Sequence, residues 1–111
     1  MDPVMITTTF ELPGWRVKET RGVVRGIIVR SPTIAQGLMG AIKSFVGGQI
    51  GAYTEMCEQA RQQAFDLLVE HAQALGANAI VGVRYDASSI TQSGATEVLC
   101  YGTAVVVERT A

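Results

Sequence analysis

The chain has 111 residues, the usual length of one domain, and we predict a single domain spanning residues 1–111. Hydrophobic residues make up 48% of it and charged residues only 17%, with a net charge of −1 at pH 7. The absence of a basic cluster argues against nucleic acid and anionic membranes as partners, and no apolar run approaches the roughly 18 residues of a membrane span.

The first half of the sequence predicts two strands and a short helix. Residues 5–9 are a β-branched run that ends in a Pro-Gly turn. Residues 15–29 alternate at first and then become apolar on both faces, and Gly22 within them indicates a bulge or bend. Ser31 and Pro32 are typical of a helix start, and apolar residues follow at helical spacing.

The second half predicts a long helix followed by a β-hairpin. The helix covers residues 52–75 and ends at Gly76, a residue that adopts the left-handed conformation without steric cost. Residues 79–86 and 97–107 are the strands, and residues 87–96 are the loop between them. The helix carries an apolar stripe at helical spacing, which comprises Tyr53, Met56, Cys57, Ala60, Ala64, Leu67, Leu68, His71 and Leu75.

These elements predict an α+β fold with an antiparallel sheet, in the order β-β-short α-long α-β-β, packed on one long helix. Both faces of the last strand are largely apolar, so both faces of the sheet should be covered. The long helix covers one face only. The short helix and a neighbouring subunit are the two candidates for the other, and the low charged fraction favours self-association.

Three segments resemble the YbjQ-like family of small bacterial and archaeal proteins, and the resemblance extends from about residue 5 to residue 108. The segments are Gly47-Gly48-Gln49, residues 76–86 (GANAIVGVRYD) and residues 97–105 (EVLCYGTAV). The resemblance implies an α+β subunit that assembles into a homopentamer. The family is labelled heavy-metal-binding and has no established reaction. It often has Glu where this chain has Gln49, a difference that weakens any ion site there.

A metal ion is the first candidate ligand, and its weak candidate donors are Cys57, Cys100 and His71. Cys57 and His71 share the helix but lie about 21 Å apart along its axis, too far to bind one ion within a subunit. The two cysteines, 43 residues apart, fit neither a disulfide framework nor a zinc finger, and free thiols favour a cytosolic location. We interpret both as core residues. In a symmetric oligomer, one donor per chain would form a ring.

His71 lies within the apolar stripe, which predicts a buried neutral imidazole bonded to a backbone carbonyl rather than a catalytic base. Arg61 lies at the rim of the same stripe. Arg84 shares a strand face with Ile80 and Gly82.

Half-buried guanidinium groups need carboxylates or carbonyls as partners. Glu58, Asp86 and Glu97 are the candidate acids for Arg61 and Arg84. An ion pair between helix and sheet, or between subunits, is favoured over anion binding. Tyr53, Tyr101 and Glu97 complete the predicted structural or interface residues.

No sequence motif identifies a catalytic residue or a cofactor. The leading hypothesis is therefore an oligomeric binding or scaffold protein that holds a metal ion or a small ligand between subunits. The alternative is an enzyme whose site is assembled at the subunit interface from His71, Arg61 or Tyr101.

Overall fold

The computed structural model describes residues 1–30, 49–89 and 95–110. Its elements are a 3₁₀ turn at Pro3–Met5, strand β1 at Trp15–Arg30, helix α1 at Gln49–Ala74, strand β2 at Ala79–Ser89 and strand β3 at Thr96–Arg109. The three strands form an antiparallel sheet in the order β1-β3-β2. The α+β class is confirmed. The short helix predicted from Ser31 lies outside the described residues.

The segment before β1 differs from the predicted strand at residues 5–9. Met5 ends the 3₁₀ turn, and only Ile6 forms an isolated bridge, parallel to Ile80 of β2. The hydroxyl of Thr7 accepts a hydrogen bond from the Thr9 amide, and the Thr9 hydroxyl donates to the Glu11 carbonyl. The backbone of Thr7 and Thr9 also forms three hydrogen bonds with β2, which involve the Ile80 carbonyl and the Gly82 and Val83 amides. These bonds do not continue as a ladder, so three strands are found among the described residues instead of four.

Strand β1 is long and irregular at its first half. Its pairing with β3 shifts register between Val17 and Glu19 and again between Thr20 and Gly22. Gly22 has a φ of 99°, a conformation that residues with a side chain rarely adopt. The predicted bulge at Gly22 is therefore confirmed.

Helix α1 packs on the sheet through a stripe rotated from the predicted one. Its buried residues are Ala60, Ala64, Leu68 and Ala72, with Phe65 and Val69 packed beside them. The predicted members Cys57, Leu67, His71 and Leu75 are exposed. Small residues allow the helix to approach β1 closely: a Cβ atom on Gly26 would lie only 1.9 Å from the Ala64 carbonyl oxygen.

The connection from α1 to β2 is fixed by the Gly-Ala-Asn segment. Gly76 follows the helix with a φ of 78°, as predicted for a C-terminal cap. The Asn78 side chain then forms two hydrogen bonds with Val107: its Nδ2 donates to the carbonyl at 3.0 Å and its Oδ1 accepts from the amide at 2.8 Å. The Asn78 side chain therefore takes the place of a backbone partner for Val107 and fixes where β2 begins.

A second bulge changes the direction of side chains in β2. Val81 pairs with Thr103, but Arg84 pairs with Tyr101, so β2 has one extra residue. Gly82, at a φ of 64°, provides the left-handed conformation that the bulge needs. Arg84 is therefore on the opposite face from Ile80, which corrects the regular alternation predicted for this strand.

The sheet face opposite α1 is covered in part by the chain itself. Val81, Val105 and Val107 are buried there with Ala79, and the side chains of Met5, Leu12 and Trp15 pack against them. The prediction that only the short helix or another subunit could cover this face is wrong for this half.

The other half of that face remains exposed among the described residues, and we call it the open face. Val23, Ile27, Val29 and Tyr101 are its exposed large side chains, and their strand neighbours Val24, Val98 and Cys100 are buried under α1. The helix in the described ranges is not long and apolar enough to cross a membrane.

Candidate functional site

A cluster of polar side chains forms where α1 meets β2 and β3. Tyr85 and Cys100 are paired across the two strands and face the helix. The guanidinium of Arg61, from α1, lies over the Tyr85 ring with 5.2 Å between its Cζ and the ring centroid. A cation over an aromatic face is attracted by the ring quadrupole. Among the described residues, Arg61 forms no ion pair with Glu58, Asp86 or Glu97, so this stacking replaces the expected bridge.

The cluster changes the acidity of its two weak acids. Partial burial, together with the neighbouring Cys100, raises the pKa of Tyr85 to about 12, whereas the Arg61 charge opposes the shift. Burial also raises the pKa of the Cys100 thiol, and the hydrogen bond from Tyr85 opposes that change. Both groups are therefore neutral at physiological pH. A neutral buried thiol is a poor nucleophile and a poor metal ligand.

The raised pKa of Tyr85, about 12 in the folded protein, makes stability depend on alkaline pH. The unfolded chain ionises near 10 and the folded chain only near 12, so between these values the folded state binds more protons. Stability should be fully retained below pH 10 and should decrease from pH 10 to pH 12. Urea unfolding at pH 9 and pH 11 should show a smaller decrease for Tyr85→Phe than for the unmutated protein. Equal decreases would contradict the assignment.

The three candidate metal donors do not form one site. Cys57 is exposed on α1, Cys100 is fully buried, and His71 lies on the helix beside β1. No group of three or more His, Cys, Asp or Glu side chains converges within the described ranges. Within the described ranges the donors therefore do not form a structural zinc-type site, which has four ligands.

His71 has a structural contact that the sequence did not reveal. Its Nδ1 accepts a hydrogen bond of 3.2 Å from the backbone amide of Arg25. The predicted burial and the predicted carbonyl partner are both wrong: the imidazole is exposed and acts as the acceptor. The acceptor role leaves the proton on Nε2 in the neutral ring.

Three further predicted residues lie on the sheet face opposite α1: Arg84, Tyr101 and Glu97. Arg84 donates from Nη1 to the carbonyls of Thr8 and Val83, both at 2.8 Å, and stacks over Phe10, so carbonyls rather than the favoured ion pair are its partners among the described residues. Tyr101 lies between Arg25 and Arg84 in the sheet register. Glu97, four residues before Tyr101 on β3, pairs with Val29. The Tyr53 side chain lies outside the described part.

A cavity of about 220 Å³ opens beside the Arg61 cluster, between the first half of α1 and the ends of the three strands. Met56, Ala60 and Val98 form apolar walls, and Arg30, Arg61 and Cys57 contribute polar groups. Arg30 is the last residue of β1, and its Nη2 donates to Gln63 of α1 at 3.1 Å. Sequence reasoning did not identify Arg30 or Tyr85. Only the fold brings them beside Arg61.

Comparisons with known proteins agree with this fold and with the sequence resemblance. Residues 4–108 match the YbjQ_1 family model, described as "Putative heavy-metal-binding". The chain is 62% identical over 104 residues to the UPF0145 protein lpg0197 of Legionella pneumophila, covering 94% of this chain and 98% of that protein.

Two further proteins extend the comparison. The UPF0145 protein BTH_I2656 of Burkholderia thailandensis is 53% identical over 108 residues, covering 97% of this chain and 96% of that protein. A crystal structure of a protein with unknown function of the DUF74 family, from Pediococcus pentosaceus, is 20% identical with a TM-score of 0.55, covering 93% of this chain and 96% of that one. That structure supports the fold alone. The family model and the two relatives show that the chain belongs to the YbjQ_1 family.

Proposed function

We propose that the protein is the subunit of a homo-oligomeric binding protein, and that its subunits associate through the open face. The observation that carries this proposal is the exposure of large apolar side chains on a sheet whose other face is covered: Val23 is 72% exposed and Val29 57%. Burying such side chains is worth roughly 1.5–3 kcal/mol each. A partner on this face would therefore be held strongly.

The charges on the open face favour a second copy of the chain as that partner. Arg25 and Arg84 flank Tyr101 in one row of the sheet, and Asp86 and Glu97 lie in the next two rows. Two positive and two negative side chains give the face no net charge. A surface of this kind can be complementary to its own copy, because the acidic rows of one subunit can meet the basic row of another.

A cyclic assembly fits the proposal, and the pentamer implied by the family resemblance is the form we propose. In such a ring, a donor that is isolated in one subunit, such as the Nε2 atom of His71, recurs at equal spacing around the axis. A small ligand or metal ion between subunits belongs to this proposal. No observation within one subunit favours an enzyme, because Arg61, His71 and Tyr101 belong to separate clusters.

The open face can be tested by placing charge on it. We expect Val23→Glu combined with Val29→Glu to dissociate the assembly, because two carboxylates would lose their hydration in the interface. Sedimentation velocity at micromolar concentration should give a multiple of 11.8 kDa for the unmutated chain and one copy for the variant. Far-ultraviolet circular dichroism should show that the variant remains folded.

Val4→Glu is the matched control. Val4 has the same exposed fraction as Val23, 72%, but lies in the 3₁₀ turn before β1. We expect this variant to assemble normally. A monomeric unmutated chain would contradict the proposal, as would a Val23/Val29 variant that assembles like the Val4 control.

A further inference from the structure

The cavity beside Arg61 contains positive charge that the chain does not neutralise. Arg30 and Arg61 both line it, and neither forms an ion pair with a described carboxylate. Arg30 is bonded to the neutral amide of Gln63, and Arg61 is stacked on the neutral ring of Tyr85. Two guanidinium groups around one small cavity repel each other unless an anion lies between them.

The sequence around the cavity contains no acid that could supply this anion. Residues 31–54 and 87–96, the segments that adjoin the cavity walls in the chain, contain no Asp or Glu. Asp86 and Glu97 are in the strand positions that face away from α1. Glu55 and Glu58 are exposed on the helix. The Glu58 charge acts on Tyr85, but Glu58 forms no ion pair with Arg30 or Arg61 in the described part of the chain, so both guanidinium groups can bind an anion from outside the chain.

The remaining walls define the rest of the ligand. The other lining residues are Met56, Cys57, Ala60, Ala87, Thr96 and Val98. Apolar side chains predominate among them, so the part of a ligand that lies away from the guanidinium groups should be mainly hydrocarbon. The volume of about 220 Å³ is below the usual range for drug-sized ligands, about 300–1,000 Å³. Guanidinium groups bind carboxylates through two parallel hydrogen bonds.

We propose that this cavity binds a small organic carboxylate with a short apolar body, held by Arg30 and Arg61. The inference rests on the proposed role as a binding protein and gives that role a ligand class. It differs in place from the open face, because the cavity lies between α1 and the ends of the strands. It is also opposite in charge to the metal cation that the family label suggests.

Isothermal titration calorimetry with hexanoate, and with hexanamide as its uncharged analogue, tests the proposal. We expect hexanoate to bind at least about tenfold more tightly than hexanamide, because only the carboxylate forms charge-assisted bonds. Inorganic phosphate, which lacks an apolar body, should bind more weakly than hexanoate. Arg61→Met and Arg30→Met, each of which keeps an unbranched apolar side chain, should each weaken hexanoate binding about tenfold or more and remove the preference over hexanamide.

Arg16→Met is the control, since Arg16 is exposed and paired with Glu108 away from the cavity. It should bind hexanoate like the unmutated protein. The Met56 methyl resonance should shift on hexanoate addition and not on phosphate addition.

Three results would each overturn the proposal: no hexanoate binding, equal affinity for hexanoate and hexanamide, or unchanged binding in both arginine variants. Repeating the titration on the Val23/Val29 variant separates this proposal from the assembly. Normal assembly without hexanoate binding would refute the ligand class alone, and hexanoate binding by an unmutated chain that proves monomeric would refute the assembly alone.

Discussion

Gly26→Ala should prevent α1 from docking on β1, and we expect it to have the largest effect of any single methyl group in this chain. The added Cβ would lie 1.9 Å from the Ala64 carbonyl oxygen and 2.7 Å from the Leu68 amide nitrogen. Both are backbone atoms of the helix, which cannot rotate away as a side chain can. Helix and strand must separate, and we expect a loss of at least about 3 kcal/mol of unfolding free energy. Urea denaturation measures it.

Gly22→Ala separates this steric effect from the effect of backbone conformation. Gly22 has a φ of 99°, but no atom lies within 4 Å of an added Cβ. The substitution should cost about 1–2 kcal/mol through backbone strain alone. If Gly26→Ala were no more destabilising than Gly22→Ala, the close contact between α1 and β1 would be wrong.

Leu68→Ala should cost about 2–5 kcal/mol, because it leaves a cavity at the centre of the contact between α1 and the sheet. Leu68 is 0% exposed, whereas its neighbour Leu67 is 38% exposed. Leu67→Ala is the matched control and should cost about 0.5 kcal/mol in the isolated subunit. Thermal or urea unfolding of both variants, in the monomeric Val23/Val29 background, gives the comparison. Equal losses would contradict the rotation of the helix stripe described here.

The elements after the short helix could be predicted from the sequence because their signals are local. The apolar period of α1, the glycine at position 76 and the apolar, β-branched run in β3 each depend on neighbours within a few residues. The rotation of the buried stripe could not be predicted in this way. The helical spacing in the sequence is equally compatible with burial of Leu67 and His71 or of Phe65 and Val69. Which pair is buried depends on the place where the helix approaches Gly26.

The candidate site was less predictable than the fold, because its members are distant in sequence. Arg61 was identified from its place on the helix, but its aromatic partner Tyr85 is separated from it by 24 residues. Arg30 is further away still. The absence of acids in residues 31–54 was visible in the sequence, and it becomes meaningful only when the fold places two guanidinium groups around one cavity.

The extra residue at the Gly82 bulge reverses the sheet faces on which the later side chains of β2 lie. Before it, Val81 pairs with Thr103; after it, Arg84 pairs with Tyr101 and Tyr85 with Cys100. If all the residues of β2 were paired without this bulge, the Arg84 guanidinium would lie opposite Cys100, beneath the helix. Tyr85 would turn to the other face and lose its contact with Arg61. The extra residue in β2 therefore determines which of its later side chains lie under α1 with Arg61 and which lie on the open face.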